Sequence, residues 1–152
     1  MSKQTDINQE KANHYLARFA ASTLGHFING DDNQGVSGET FENHTPVDNS
    51  LLCEVAAGGR AEVDIAAQAA QDAFPAWRDL SGSKRQTLLH DVADAIEAQA
   101  EEIALVESMD TGQPIRFMVT AAKRGAENFR FFADQAPKAR HGLSLPAAEH
   151  IN

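Results

Sequence analysis

The chain has 152 residues, with 13 Lys and Arg against 22 Asp and Glu, a formal net charge of −9. That length is a prior for one domain with a real core, and 42% apolar with 23% charged residues excludes a disordered composition. The acidic balance argues against a nucleic-acid partner and the lack of a long apolar run against a membrane span, while a single cysteine, Cys53, excludes an internal disulfide and a multi-thiolate zinc site.

The first dozen residues are polar, without the apolar stretch of a secretory signal. Asp6 and Glu10 do not fit an Arg-rich, acid-poor mitochondrial presequence. The cytoplasm is the expected compartment, with Cys53 kept reduced. Residues 1–25 read as a polar N-terminal segment with weak helical periodicity through Tyr15, Leu16, Phe19 and Leu24. A docked helix and a loosely held arm both fit, with Gly25 closing the segment.

Residues 26–57 read as a small β-region of two or three strands. His26-Phe27-Ile28 ends in an Asn29-Gly30 turn signal, and the polar run Asp31–Gly35 reads as a connection. Val36–Asn43 and Leu51–Ala56 follow, separated by the Thr45-Pro46-Val47-Asp48 turn. So thin a β-region must pack on something else.

From Gly58-Gly59 the apolar period becomes helical, and residues 58–136 read as three amphipathic helices. The first, about 60–78, carries Val63, Ala66, Ala67, Ala70, Phe74 and Trp77 on one face. The second opens at a capping box from Ser83 and runs unbroken to about Met109, with Leu88, Leu89, Val92, Ile96, Ala100, Ile103 and Val106 as its stripe. Gly112 is placed for a left-handed cap and Pro114 for the first turn of the third helix, which carries Ile115, Val119, Ala122, Ala126, Phe129, Phe132 and Ala133 until Pro137. The alanines reflect either close helix packing or plain helix propensity. Residues 137–152 are Pro/Gly-punctuated, with Leu143, Leu145 and Ile151 as strand candidates.

No complete catalytic set is present. Cys53, between Leu52 and Glu54 in an expected strand, reads as a structural core cysteine and not a nucleophile. The six histidines never fall at i,i+4 on one helix, and His90 reads as a boundary residue. The glycines form neither a P-loop nor a G-x-G-x-x-G turn. Glu101-Glu102 and Asp31-Asp32 read as solvated charge, and Lys123, Arg124 and Arg130 as surface residues pairing with Glu127.

Several blocks in register nevertheless resemble the start of an aldehyde dehydrogenase: His26–Gly30, Thr40–Asp48, Val55-Ala56-x-Gly58, Ala73–Trp77, Arg85-x-x-x-Leu89 and, most specific, Glu107-Ser108-Met109-Asp110-Thr111-Gly112-Gln113-Pro114. Asn128–Asp134 continues the likeness. Within the superfamily, Phe41–Asp48 with Asn128–Asp134 is most similar to the branch acting on 5-carboxymethyl-2-hydroxymuconate semialdehyde in bacterial homoprotocatechuate catabolism.

The resemblance implies an α/β fold, here its N-terminal part: the β-region and three helices of the Rossmann-like cofactor domain, with 137–152 starting an oligomerisation arm. It implies NAD as cofactor, an aldehyde substrate, a homo-oligomer and chemistry through a cysteine thiolate, a glutamate and an asparagine oxyanion donor. Those groups belong to segments expected after Asn152, so no catalytic or cofactor-binding residue is assigned. The chain reads as truncated, inactive alone and a poor NAD binder. One family feature carries over by position: a structural monovalent cation held by main-chain oxygens at Asn43 and His44 and by the carboxylate of Asp110. The alternative for Asp110 is simple helix termination, and the alternative for the whole chain is a non-catalytic helical module that binds full-length subunits.

Overall fold

A computed structural model describes residues 3–139. The N-terminal segment is helical: α1 spans Lys3–Ala20 and buries Ala12. It ends at Ala20, not at Gly25. Gly25 instead lies against the following hairpin, where a Cβ would come within 2.1 Å of Asp32 Oδ1.

The β-region holds four short strands, against the two or three that the sequence pattern suggests. β1 (His26–Ile28) pairs antiparallel with β2 (Asp31–Asn33) across a two-residue turn. Asn29 and Gly30 both take positive φ, 56° and 88°, the conformation that matches the twist of a tight hairpin. That turn puts Asp31 opposite Ile28, so the polar run expected to be a connection becomes a strand by backbone pairing alone. β3 (Thr40–His44) pairs antiparallel with β4 (Leu51–Ala56), with an irregularity at Asn43/His44. Leu24 adds a parallel bridge to Val55. β4 buries Leu52, Cys53 and Ala56, so the thiol is a core residue as expected.

Helix α2 spans Arg60–Arg78. Glu62 is its only buried residue, while Val63, Phe74 and Trp77 of the apolar stripe are exposed. α3 spans Gly82–Ala98, and its N-cap is Ser81, whose Oγ accepts the Lys84 N–H at 3.2 Å. Ser83 is not the cap: it lies inside the first turn, where its carbonyl accepts the Thr87 hydroxyl. Arg85 reaches back to the carbonyls of Trp77, Arg78 and Leu80, where α2 ends, and stacks over the Trp77 ring.

The long second helix is broken. Gln99, at φ −106° and ψ 16°, separates α3 from α4 (Ala100–Thr111). α3 packs chiefly on α6, while α4 packs on α1 and α5 and also touches α6. The third helix is also divided, into α5 (Ile115–Met118) and α6 (Ala121–Gln135). The interruption falls at Val119-Thr120, where the Thr120 hydroxyl turns back to the Phe117 carbonyl. A 3-10 turn at Ala136–Lys138, with Pro137 inside, follows α6. Leu143, Leu145 and Ile151 lie outside the described residues.

α3 and α6 form the main helical interface. Ala93, Ala126 and Ala133 have no exposed surface there, and Ala122 little. This settles the role of these alanines as close packing. Arg130 bridges Asp94 and Glu97 at 2.7 and 2.6 Å, not Glu127. At the other end Asp134 accepts from Gln86 and contacts His90, both at 3.0 Å.

Candidate functional site

Three contacts join the end of β3 and the turn after it to the end of α4, and each links the two most distinctive sequence blocks. The Asn43 side-chain amide donates to Asp110 Oδ1 at 2.7 Å. The Thr45 hydroxyl, on a residue with 1% exposure, donates to the Met109 carbonyl, one of the last carbonyls of α4, which have no partner inside the helix. Pro46 covers Gly112, where a Cβ would meet Pro46 Cγ at 2.8 Å. Gly112 also needs its φ of +72° to close the helix, so both backbone conformation and space select glycine there.

Of the three positions assigned to a cation, the structure brings two together by side chain, Asn43 and Asp110. The His44 ring turns away: Nδ1 contacts the Asn49 carbonyl at 3.0 Å and Nε2 contacts Glu42 at 2.9 Å. Those acceptors, Glu42 first, raise the pKa of His44 above its ordinary value. Among the described residues no group of three or more His, Cys, Asp or Glu side chains could hold a metal ion. An oxygen site here would therefore depend on main-chain carbonyls beside Asp110.

The sequence reading missed two contributors. Thr45 and the Met109 carbonyl meet across 64 residues, which no local pattern announces. Glu62 had a local signal, a glutamate three residues after Gly59 at a helix start. Its Oε1 accepts the Val36 N–H and its Oε2 the Gly59 N–H, both at 2.7 Å. These bonds, that from Val36 first, hold its carboxyl below the usual carboxylate range. The Gly58-Gly59-led start of α2 is thus capped by the chain's own Glu62 carboxylate.

Residues 33–152 match the family model described as the aldehyde dehydrogenase family. The chain belongs to that family. It is 43% identical over 113 residues to the 2-hydroxymuconic semialdehyde dehydrogenase of Pseudomonas sp. (strain CF600), a match covering 73% of this chain and 23% of that protein. It is 36% identical over 129 residues to retinaldehyde dehydrogenase 3 of Mus musculus, covering 82% and 25%. Among solved structures, HpcC from Thermus thermophilus matches with a TM-score of 0.84 at 36% identity, over 92% of this chain and 27% of that one. PnpE in complex with nicotinamide adenine dinucleotide matches with a TM-score of 0.74 at 40% identity, over 77% and 24%.

This aldehyde dehydrogenase chain spans about a quarter of the length of these curated relatives. Its fold is the N-terminal part of the aldehyde dehydrogenase fold, as the sequence blocks imply. The Thr45–Pro46 turn and the Asp110-Thr111-Gly112 block, quoted separately as family motifs, are in space one joint. Relatives named for retinaldehyde and for a hydroxymuconic semialdehyde both match this chain at 36% identity or more.

Proposed function

We propose that these residues form the N-terminal part of an NAD-dependent semialdehyde dehydrogenase, which in the intact enzyme oxidises an aldehyde to a carboxylic acid in bacterial aromatic catabolism. The carrying observation is the family match over residues 33–152, whose two distinctive blocks meet at the joint between β3 and α4. The likenesses to the hydroxymuconic semialdehyde enzyme and to HpcC support the semialdehyde reading. NAD use rests on family membership and on the PnpE complex. The described residues supply no thiolate nucleophile in an electropositive setting and no phosphate cradle, so residues 1–152 alone neither turn over aldehyde nor bind NAD well. A cytoplasmic location and homo-oligomeric assembly belong to the same reading.

The test is a chimera. The corresponding segment of the Pseudomonas 2-hydroxymuconic semialdehyde dehydrogenase is replaced by residues 26–139, and NAD reduction is followed at 340 nm with a muconic semialdehyde. Retained turnover is expected from the chimera and none from the 152-residue chain. A soluble, folded but inactive chimera, or turnover by the isolated chain, overturns the proposal.

The cation belongs to this proposal as well. Asp110 supplies a carboxylate, and the main chain at Asn43 and His44 supplies neutral oxygens, the donor class a hard monovalent ion takes. Replacing potassium or sodium by tetramethylammonium should lower the melting temperature of the wild-type chain and leave Asp110→Asn unaffected. Equal responses would remove the ion and leave Asp110 as Asn43's partner alone.

A further inference from the structure

The family match begins at residue 33, so α1 and β1 both precede it. Yet α1 is the helix packed most extensively on β4, the strand that carries Cys53. Its apolar grip is thin. Ala12 is its one buried residue among those described, Leu16 and Phe19 are half-buried, and Ile7 is exposed. A half-open cleft of about 180 Å³ lies beside it, lined by Leu16 and Phe19 on the helix and by Cys53, Val106 and Asp110. A second, of about 200 Å³, flanks Ala12.

Polar contacts hold it instead. The Lys11 ammonium donates to Glu101 Oε1, the Tyr15 hydroxyl donates to Glu101 Oε2 at 3.2 Å, and Arg18 pairs with Glu102 at 2.6 Å. The Lys11 hydrogen bond, with that of Tyr15, lowers the pKa of Glu101, and the same carboxylate raises those of Lys11 and Tyr15. Glu101 and Glu102 are therefore docking points for α1; Glu101 keeps the solvated character the sequence implied, while Glu102 is largely covered. Lys11, Arg18 and Glu101 remain largely open to solvent, where ions screen them.

We propose that α1 is a salt-sensitive strap, latched on Glu101 and Glu102, whose release uncovers Cys53 and the cleft beside Asp110 while the α3–α6 pair stays folded. Exposed ion pairs are individually weak. Screening shortens from about 10 Å at 0.1 M salt to about 3 Å at 1 M, so the latch weakens with salt, and the opening is local.

Cys53 is the chain's only cysteine and reports the opening directly. N-Ethylmaleimide, being uncharged, avoids salt effects on its own encounter with an acidic protein. Its labelling rate is measured on the full 152-residue chain by mass spectrometry at 20 and 500 mM NaCl, with far-UV circular dichroism recorded alongside. The wild type is expected to label about tenfold faster at high salt with unchanged ellipticity. The double variant Glu101→Gln/Glu102→Gln should label fast at both salts, and the swap Lys11→Glu/Glu101→Lys should restore protection at low salt. Labelling indifferent to salt, a double variant that labels like the wild type, or labelling that rises only as overall ellipticity falls would each overturn the strap. If the double variant does not fold, the salt series and the swap decide the matter.

Discussion

Helix α6 turns Ala122, Ala126 and Ala133 against α3 and leaves them 4, 0 and 0% exposed, whereas α2, also alanine-rich and amphipathic, leaves Val63 66% and Phe74 55% exposed. Both helices announce an apolar face in the sequence, but among the described residues α6 sets its alanines against α3 while its Phe129 and Phe132 stay exposed, and α2 rests chiefly on the short strand β1. α6 is fixed by small side chains that let two backbones approach, and by Arg130 and Asp134 reaching across to α3. α2 is fixed at its ends, by Glu62 at the start and by Arg85 at the finish. Periodicity reports which face of a helix is apolar; it does not report whether the chain supplies the surface to cover that face.

The largest effect should come from breaking the tight side of this comparison. Ala126→Leu adds three carbons to a position with no exposed surface, in an interface where neighbouring alanines leave no slack. Overpacking of this kind costs about 1–3 kcal/mol. Thermal unfolding by circular dichroism should show a clear drop in melting temperature. An unchanged value would mean that α3 and α6 are not closely packed in solution.

A smaller effect, with a pH signature, should come from the anchor of α2. Glu62→Gln keeps the size of the side chain but removes the charge that accepts the N–H groups of Val36 and Gly59. The folded pKa of Glu62 lies below its unfolded value of about 4.3. Its contribution is therefore present above that value and lost as pH falls through the folded one. The melting temperature of Glu62→Gln should lie below that of the wild type at pH 7, and the gap should close towards pH 3. Asp48, Glu101 and Asp134 are also held low, so the difference between the two proteins is the quantity to follow. A gap that persists in acid would assign Glu62 a steric role.

What could be read from the chain follows the same division. Local signals succeeded where local chemistry decides: Asn29-Gly30 as a tight hairpin turn, Gly112 as a left-handed cap, and the bounds of α2 at 60 and 78. They failed where a distant partner decides. The break at Gln99 has no proline or glycine to announce it and separates α3, packed chiefly on α6, from α4, which also serves α1 and α5. Ser83 looked like a cap only because its spacing to the apolar run resembled one, while Ser81 has the extended backbone that capping needs. In the candidate site, the blocks around Asn43 and Asp110 were visible separately as family motifs. The Thr45–Met109 bond that joins them crosses 64 residues and left no local trace.

The smallest effect is the most diagnostic for α2. Val63→Ser and Phe74→Ser remove apolar groups that are already mostly in water, so little burial is lost with them. Each should change the folding stability of this chain by no more than about 0.5 kcal/mol, the range of surface substitutions. Their effect should appear elsewhere, as lower association at high concentration in sedimentation, because an uncovered apolar stripe is where contact between molecules begins. The same substitutions in the chimera with the Pseudomonas enzyme should then cost stability, because the rest of that protein is available to cover the face. A stability loss already present in the 152-residue chain would show that α2 has an apolar partner here, and the contrast with α6 would disappear.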